Sequence, residues 1–426
     1  MWKETFKNKE TRNKILFVLF SIIILRIGVC LPVPFVDTTA VKSFFQNNDT
    51  LSFVNLFTGG SMENFSILSL SITPYITASI ILQLLCIAFP KLDELQKDGD
   101  TGKTTYNKIM KLTTVALSII EAIGLLITYT KNGLISLNVY SSIVVVVSFT
   151  AGTMFLMWLG DEITERGIGN GISIILMINI LSRIPSDLYN LYQMFVKNKD
   201  VVNMVISSVI IISVIVITIL LVIILDGAER HVPINNSRKI ANSHNFNVNS
   251  NIPLKVNMAG VVPIIFASTL LSIPIIIASF FKTNGSWTGY FSQNQWFSSM
   301  NWKYTVGYIV YAILVIFFAY FYASITVNSN DIANSLKKSG QIIPGIRPGK
   351  ATVDYLDSIK NPLIFIGAIW LLFIVTIPII FNGAFNASVS FGGTSIIIVV
   401  GVIVETITQL RGRVVNYSQK SFLKKF

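Results

Sequence analysis

The chain has 426 residues, 52% hydrophobic and only 13% charged, about half the charged share of an ordinary soluble domain. That composition excludes a soluble globular enzyme and points to a chain that crosses a membrane many times. Two cysteines, Cys30 and Cys86, lie in apolar runs, and two histidines, His231 and His244, lie in one polar loop. This excludes a disulfide framework and offers no metal-ligand spacing.

The N-terminus is basic and turns apolar at Ile15, with no small-residue cleavage site behind it. It reads as a retained first span rather than a signal peptide. A span needs about 20 apolar residues. Ten stretches qualify: 15–36, 66–89, 107–130, 139–160, 171–194, 201–226, 258–281, 304–327, 362–382 and 391–411. The second is composite. A Gly59-Gly60 pair is followed by Phe65, Ile67, Leu68 and Leu70 interleaved with Asn64, Ser66, Ser69 and Ser71; after Pro74 comes a clean apolar run to Phe89. Broken helices at membrane depth are tolerated where they are buried in protein or line a water-filled cavity, and they point to transport paths. A re-entrant loop or Pro-kinked span with a purely structural job fits the same residues.

Ten spans put both termini on one side. With the termini inside, segments 1–14, 91–111, 160–169, 227–257, 328–361 and 411–426 hold 25 of the 33 Lys and Arg. Seven fall to the outer side, Lys42, Lys131, Arg183, Lys197, Lys199, Lys282 and Lys303, and Arg26 lies inside the first span. This split orients the chain by the positive-inside rule. It also accounts for most of the net charge of +12, so no nucleic-acid partner is required. Two inner loops are long. Residues 227–257 are rich in Asn and Ser. Residues 328–361 carry Lys337-Lys338 and the turn Pro344-Gly345-Ile346-Arg347-Pro348-Gly349, whose prolines and glycines make a stiff, bent tip. A cation at its apex suits an acidic or anionic partner; an orienting charge without a partner fits as well.

No catalytic set is present in the pattern. Gly102-Lys103-Thr104 resembles the end of a phosphate loop, but the earlier glycine it needs is Lys97, and no strand precedes it. Gly167, Gly169 and Gly171 also lack a preceding strand; they sit at the mouth of the fifth span, where glycines permit close packing or a hinge. The chain is therefore expected to bind no cofactor and to draw energy from a partner. Glu121 lies deep in the third span and Glu405 near the inner end of the tenth. Buried acids can mark proton relays, so a secondary transporter for a small solute stays open on residues alone, as does a membrane scaffold.

Six stretches, in order, carry a resemblance: LPVPFVD (31–37), TGGSMENFSILSLSITPYITASIILQLL (58–85), RGIGNGISII (166–175), PLKVNMAGVVPIIFAS (253–268), NSLKKSGQIIPGIRPG (334–349) and FGGTSIIIVV (391–400). Together with ten spans and this orientation, they make the whole chain resemble the SecY family, the channel subunits of bacterial protein translocases. The resemblance implies an all-α polytopic fold of ten helices in two pseudo-symmetric halves, 1–199 and 200–426, around an hourglass pore. It implies a protein-conducting channel in the bacterial plasma membrane, with cytoplasmic termini and no catalysis of its own. Unfolded secretory polypeptides would cross it, and apolar segments would leave sideways into lipid.

Site residues follow by motif. A plug at about 56–70 would include Phe57, Gly59, Gly60, Asn64, Phe65 and Leu68. A pore ring would comprise Ile76, Ile80, Ile172, Leu176, Ile265 and Ile398. The pairs 76/80 and 172/176 are spaced i, i+4, so each stacks on one helical face, and an apolar collar excludes ions by dewetting. A lateral gate would part spans two and three from seven and eight, with small residues Ala78, Ser79, Gly260, Ala267 and Ser268 near the seam. Arg347, Lys337, Lys338, Arg230, Arg238 and Lys239 would dock the motor ATPase SecA or the ribosome. SecE and SecG would be partner subunits and signal-bearing preproteins the cargo. A second basic cluster common in the family is replaced by ANSHNFNVNSN (241–251), which weakens the expected ribosome contact.

Overall fold

Inside a bilayer no water satisfies the backbone, so apolar runs close their hydrogen bonds as helices. A computed structural model describes residues 9–36, 41, 58–131, 133, 138–195, 201–236, 250–281, 286–291, 296–297, 302–385 and 393–423. Its main helices are α1 (Lys9–Cys30), α2 (Thr73–Ala88), the short α3 (Pro90–Lys97), α4 (Gly99–Lys131), α5 (Val139–Arg166), α6 (Gly171–Phe195) and α7 (Val201–Gly227). There follow α8 (Val262–Phe281), α9 (Thr305–Thr326), the short α10 (Ser329–Ser339), α11 (Lys350–Phe385) and α12 (Gly393–Leu423). Each of the ten expected apolar stretches thus holds a helix. Among the described residues eight are long and apolar enough to cross a membrane, the pair α2–α3, bent by 116°, makes a ninth, and α8 is a shorter apolar helix.

The first five spans meet the last five along two seams. On one, α8 packs against α2 and α4; on the other, α6 packs against α7 and α12. One apolar core runs through both seams, from Leu25 and Val29 of α1 to Ile374 and Val375 of α11. The RGIGNGIS glycines serve close packing: a Cβ on Gly171 would fall 2.0 Å from the Gly160 carbonyl oxygen, so the turn between α5 and α6 admits no larger residue there.

Two expectations need correction. The second span does not start at 66. Residues 59–72 are turns, and α2 begins only at Thr73. Gly59 and Gly60, and even Phe65 and Ser71, have left-handed φ of 65°, 84°, 47° and 52°, which no continuous helix allows. Serine hydroxyls take over the backbone. Ser61 Oγ lies 2.8 Å from both the Thr58 and the Leu68 carbonyl oxygens. Ser69 Oγ lies 3.0 Å from the Ser61 oxygen and 2.6 Å from that of Ser66. The segment also bonds edge-on to the chain after α1, with Val33 N donating to Phe65 O and Ile67 N to Leu31 O, both at 3.0 Å.

The second correction concerns the polar loops. They build a small sheet that an all-α reading did not foresee: β1 (Glu229–Asn236), β2 (Ser250–Lys255) and β3 (Gln341–Ile342), in the order β2-β1-β3. Arg230 stands opposite Leu254, and Asn235 opposite Ile342. Val232, Ile234 and Leu254 bury one face of the sheet against Leu336 of α10, Ile343, and Leu356, Ile359 and Leu363 of α11. The alternation of Val232 and Ile234 with polar neighbours is the strand signal that the Asn- and Ser-rich composition obscured.

The seat of the 58–72 segment yields a sharp test. A Cβ on Gly152 of α5 would fall 2.1 Å from the carbonyl oxygen of Ile67. Gly152→Val is expected to destabilise the protein by about 1–3 kcal/mol, as overpacking does, and to lower its melting temperature in detergent by several degrees. An unchanged melting temperature would mean that α5 and the segment are not in this contact.

Candidate functional site

The six aliphatic residues expected at the collar come from α2, α6, α8 and α12. Ile76, Ile80, Leu176, Ile265 and Ile398 are all buried in the main core cluster, and Ile172 is half-buried and packs against that cluster. Ile172 also touches α5, its Cγ1 lying 3.0 Å from where a Cβ of Gly160 would be. Leu68 and Ile72 of the turn segment belong to the same cluster. The structure therefore brings the expected collar and part of the expected plug into one apolar body spanning both seams. Among the seam residues, Ala78, Ala267 and Ser268 are buried, while Ser79 and Gly260 are half-buried.

The turn segment is held by aromatic and polar contacts. Phe65, fully buried, lies with its ring centroid 5.1 Å from those of both Tyr129 and Phe149. Leu68 fills the notch at Gly28 of α1, where a Cβ would fall 2.6 Å from its Cδ1. Gly59 is pressed against α6, where a Cβ would fall 2.9 Å from Asn179 Cα. Asn64 is half-buried, its N–H donating to Gly60 O at 3.2 Å. Phe57 lies outside the described residues.

Sequence reasoning missed the polar partners of this segment. Asn179 of α6, 2% exposed, accepts at Oδ1 from Arg26 Nη2 at 2.6 Å and donates from Nδ2 to Ser71 Oγ at 3.0 Å. Arg183, assigned above to the outer loops, sits in α6 and pairs with Glu63 at 3.3 Å. The available signal was that Asn179, Ser182 and Arg183 share one face by i, i+3 and i, i+4 spacing. Glu121 is half-buried on α4, and Glu405 is exposed on α12.

At the basic end, Arg230, Lys337, Lys338 and Arg347 are all exposed. All four belong to the unit built on the small sheet. Lys337 and Lys338 close the last turn of α10, where cations suit the helix dipole. The bend at Arg347 is pinned by Thr352 Oγ1 donating to the Arg347 carbonyl at 2.9 Å, with Gly345 and Gly349 at left-handed φ of 78° and 111°. Arg238 and Lys239 lie outside the described residues. Among the described residues no group of three or more His, Cys, Asp and Glu could hold a metal ion.

The chain as a whole matches known proteins. The SecY family model matches residues 66–407. The protein translocase subunit SecY of Streptomyces scabiei is 36% identical over 98% of each chain. That of Buchnera aphidicola subsp. Acyrthosiphon pisum is 37% identical over 99% of this chain and 97% of its own. The chain belongs to the SecY family.

It is thus a channel subunit of a protein translocase, a multi-span membrane protein and not an enzyme. Two solved structures share the fold. One, described as a protein-conducting channel, aligns with a TM-score of 0.66 at 17% identity, covering 94% of this chain and 91% of that one. The other, Sec61 in a canine ribosome–channel complex, aligns with a TM-score of 0.62 at 17% identity over the same shares.

Within this SecY-family chain, Asn179 is the polar hub of the turn segment. Asn179→Ala removes the acceptor for Arg26 and the donor to Ser71, a cost of roughly 1–3 kcal/mol. Glu63→Gln weakens a partly exposed ion pair worth at most about 1 kcal/mol. A cysteine replacing Leu68, in a background lacking Cys30 and Cys86, is expected to react with a membrane-impermeant maleimide about tenfold faster in the Asn179→Ala variant, and scarcely faster with Glu63→Gln. Equal rates across the three proteins would remove Asn179 from that role.

Proposed function

We propose that the plug is the stretch of about 56–70, whose described part continues as turns to Ile72, and that Ile76, Ile80, Ile172, Leu176, Ile265 and Ile398 are the ring through which unfolded polypeptides pass. The observation that carries this reading is their shared apolar cluster. The ring residues come from helices on both sides of both seams, and Leu68 and Ile72 are packed into the same body. Aliphatic side chains exclude ions by dewetting, and they offer a sliding chain no polar partner to bind. The contact of α8 with α2 and α4 is the seam proposed as the lateral gate. A segment apolar enough to prefer lipid leaves there. Its small buried residues Ala78, Ala267 and Ser268 suit helices that must separate and close again.

The two halves proposed are 1–199 and 200–426. The 25-to-7 excess of Lys and Arg supports a cytoplasmic basic end and cytoplasmic termini in a bacterial plasma membrane. The exposed Arg230, Lys337, Lys338 and Arg347 are then a cytoplasmic docking surface for SecA and the ribosome, with SecE and SecG as further subunits and preproteins as cargo. Arg238 and Lys239 extend that surface in sequence. The ribosome-bound state of the Sec61 neighbour supports the ribosome as one such partner.

The direct test is a crosslink. A single cysteine at Ile76, without Cys30 and Cys86, is expected to form a disulfide with a cysteine-bearing preprotein stalled in transit. Silence there, and at cysteines along α2, α6, α8 and α12, would sink the channel reading. Ile398→Asn is expected to raise ion leak and to admit precursors with defective signal sequences; unchanged leak and selectivity would remove the ring assignment. Arg347→Glu, at an exposed tip, is expected to leave the protein's amount in the membrane unchanged and to cut SecA-driven export about tenfold or more, the worth of one charge-assisted contact. Parental export by that variant would take Arg347 off the docking surface.

A further inference from the structure

Residues 256–261 join β2 to α8, and apart from Gly260, expected at the seam, the function above gives them no role. They are firmly held for a connector. Val256 N donates to the Ala228 carbonyl at 2.9 Å, tying the connector to the start of β1. Asn257, 7% exposed, donates from Nδ2 to Oδ1 of Asp226, at the end of α7, at 2.9 Å. Ala259 is buried among Ala319 and Ala323 of α9 and Ile364 and Ala368 of α11.

Two glycines form notches for it. A Cβ on Gly367 of α11 would fall 2.5 Å from the Val256 carbonyl oxygen. A Cβ on Gly401 of α12 would fall 2.8 Å from Val261 Cγ1 and 3.6 Å from Asp226 Oδ2. Gly260, at a left-handed φ of 61°, supplies the turn, and Val261 O then accepts from Ile265 N at 3.3 Å as α8 begins. The connector therefore rests on α7, α9, α11 and α12. It ends at Val261, one turn before Ile265, and its seat on Gly401 lies one helical turn from Ile398.

We propose that the Asp226–Asn257 clasp and the glycine notches couple partner docking on the sheet to the position of α8. The physical reason is stiffness. The sheet, α10 and the base of α11 share one apolar core, so a load on the Arg347 loop moves β2 as part of a body. A slack connector would absorb that motion, whereas one anchored on four helices, with a single glycine turn, passes it to α8 and the ring. Asp226 and Asn257 are positioning residues, and the inference rests on the channel reading above.

The test uses the complete translocase in vesicles, with SecA and a purified precursor, and reads SecA binding and export per bound SecA. Asn257→Ala and Asp226→Ala are each expected to keep SecA binding within about twofold of the parent and to cut export per bound SecA about tenfold. The double variant is expected to be no worse than either single one. The exchanged pair, Asp226→Asn with Asn257→Asp, restores an amide-to-carboxylate hydrogen bond and is expected to recover export. Parental export by the single variants, additive losses, or no recovery by the exchanged pair would each overturn the inference.

Should the alanine variants fail to accumulate, Gly401→Ala takes their place, and parental export per bound SecA by that variant overturns the inference in the same way. The Ile76 crosslink in the otherwise unaltered protein separates the two claims. Its absence sinks the channel reading, while its presence alongside parental export by the variants sinks only the coupling.

Discussion

Residues 58–72 lie against four membrane helices without forming a helix, and the rest of the site depends on how their backbone is satisfied there. An unpaired amide in an apolar surround costs several kcal/mol. The answer is mostly the segment's own backbone: the amides of Ser61, Asn64, Phe65, Ser66, Ser69 and Ser71 donate to carbonyls within it, and serine hydroxyls add to this. Ser61 and Ser69 bridge carbonyls within the segment, while Leu31 and Val33 give it two backbone partners from outside. The close approach this needs explains Gly28, Gly59 and Gly152, each facing an atom that a Cβ would strike. A helix in the same place would have needed no such notches, but it could not leave its seat by breaking a handful of separate contacts.

The proposed collar would be held by a different force. Its residues contribute dispersion and apolar contact but no directional bond, so they fix neither seam rigidly. Helix association in lipid lacks the hydrophobic drive available in water. Contacts across α8 and α2 therefore close well and open at modest cost. Directional interactions are supplied beside it by the Arg26–Asn179–Ser71 chain and the Asp226–Asn257 clasp.

Most of the fold was legible because membrane helices announce themselves by length and apolarity, and every expected stretch holds a helix. The start of the second span was misplaced because the polar alternation in 64–71 was counted as the foot of a helix, when serine–backbone bonding competes with helix formation. The sheet was missed because its strands are short, lie in Asn-rich loops and pair with a two-residue strand more than a hundred residues away, which no local pattern records. Ring and docking residues were legible only through family motifs, since aliphatics at i, i+4 and lysines in loops are common in any such chain. The hub Asn179 was overlooked because a single amide side chain carries no motif. Its meaning lies in Arg26 and Ser71, which fold in from 153 and 108 positions away.

The placement of these groups also bears on how a channel of this kind opens. Every polar contact described between residues 58–72 and the rest of the chain goes to the stretch just after α1 or to α6. Its aromatic clamp, Tyr129 and Phe149, is on α4 and α5. All of these lie in the first half of the chain. The exposed cations proposed for docking instead belong to the unit of β1, β2, β3, α10 and α11, all in the second half. A load applied there thus pulls on the half that does not hold this segment. If α8 moves away from α2 and α4, these contacts within the first half stay in place; under the proposed assignment the ring would then widen before the plug is displaced.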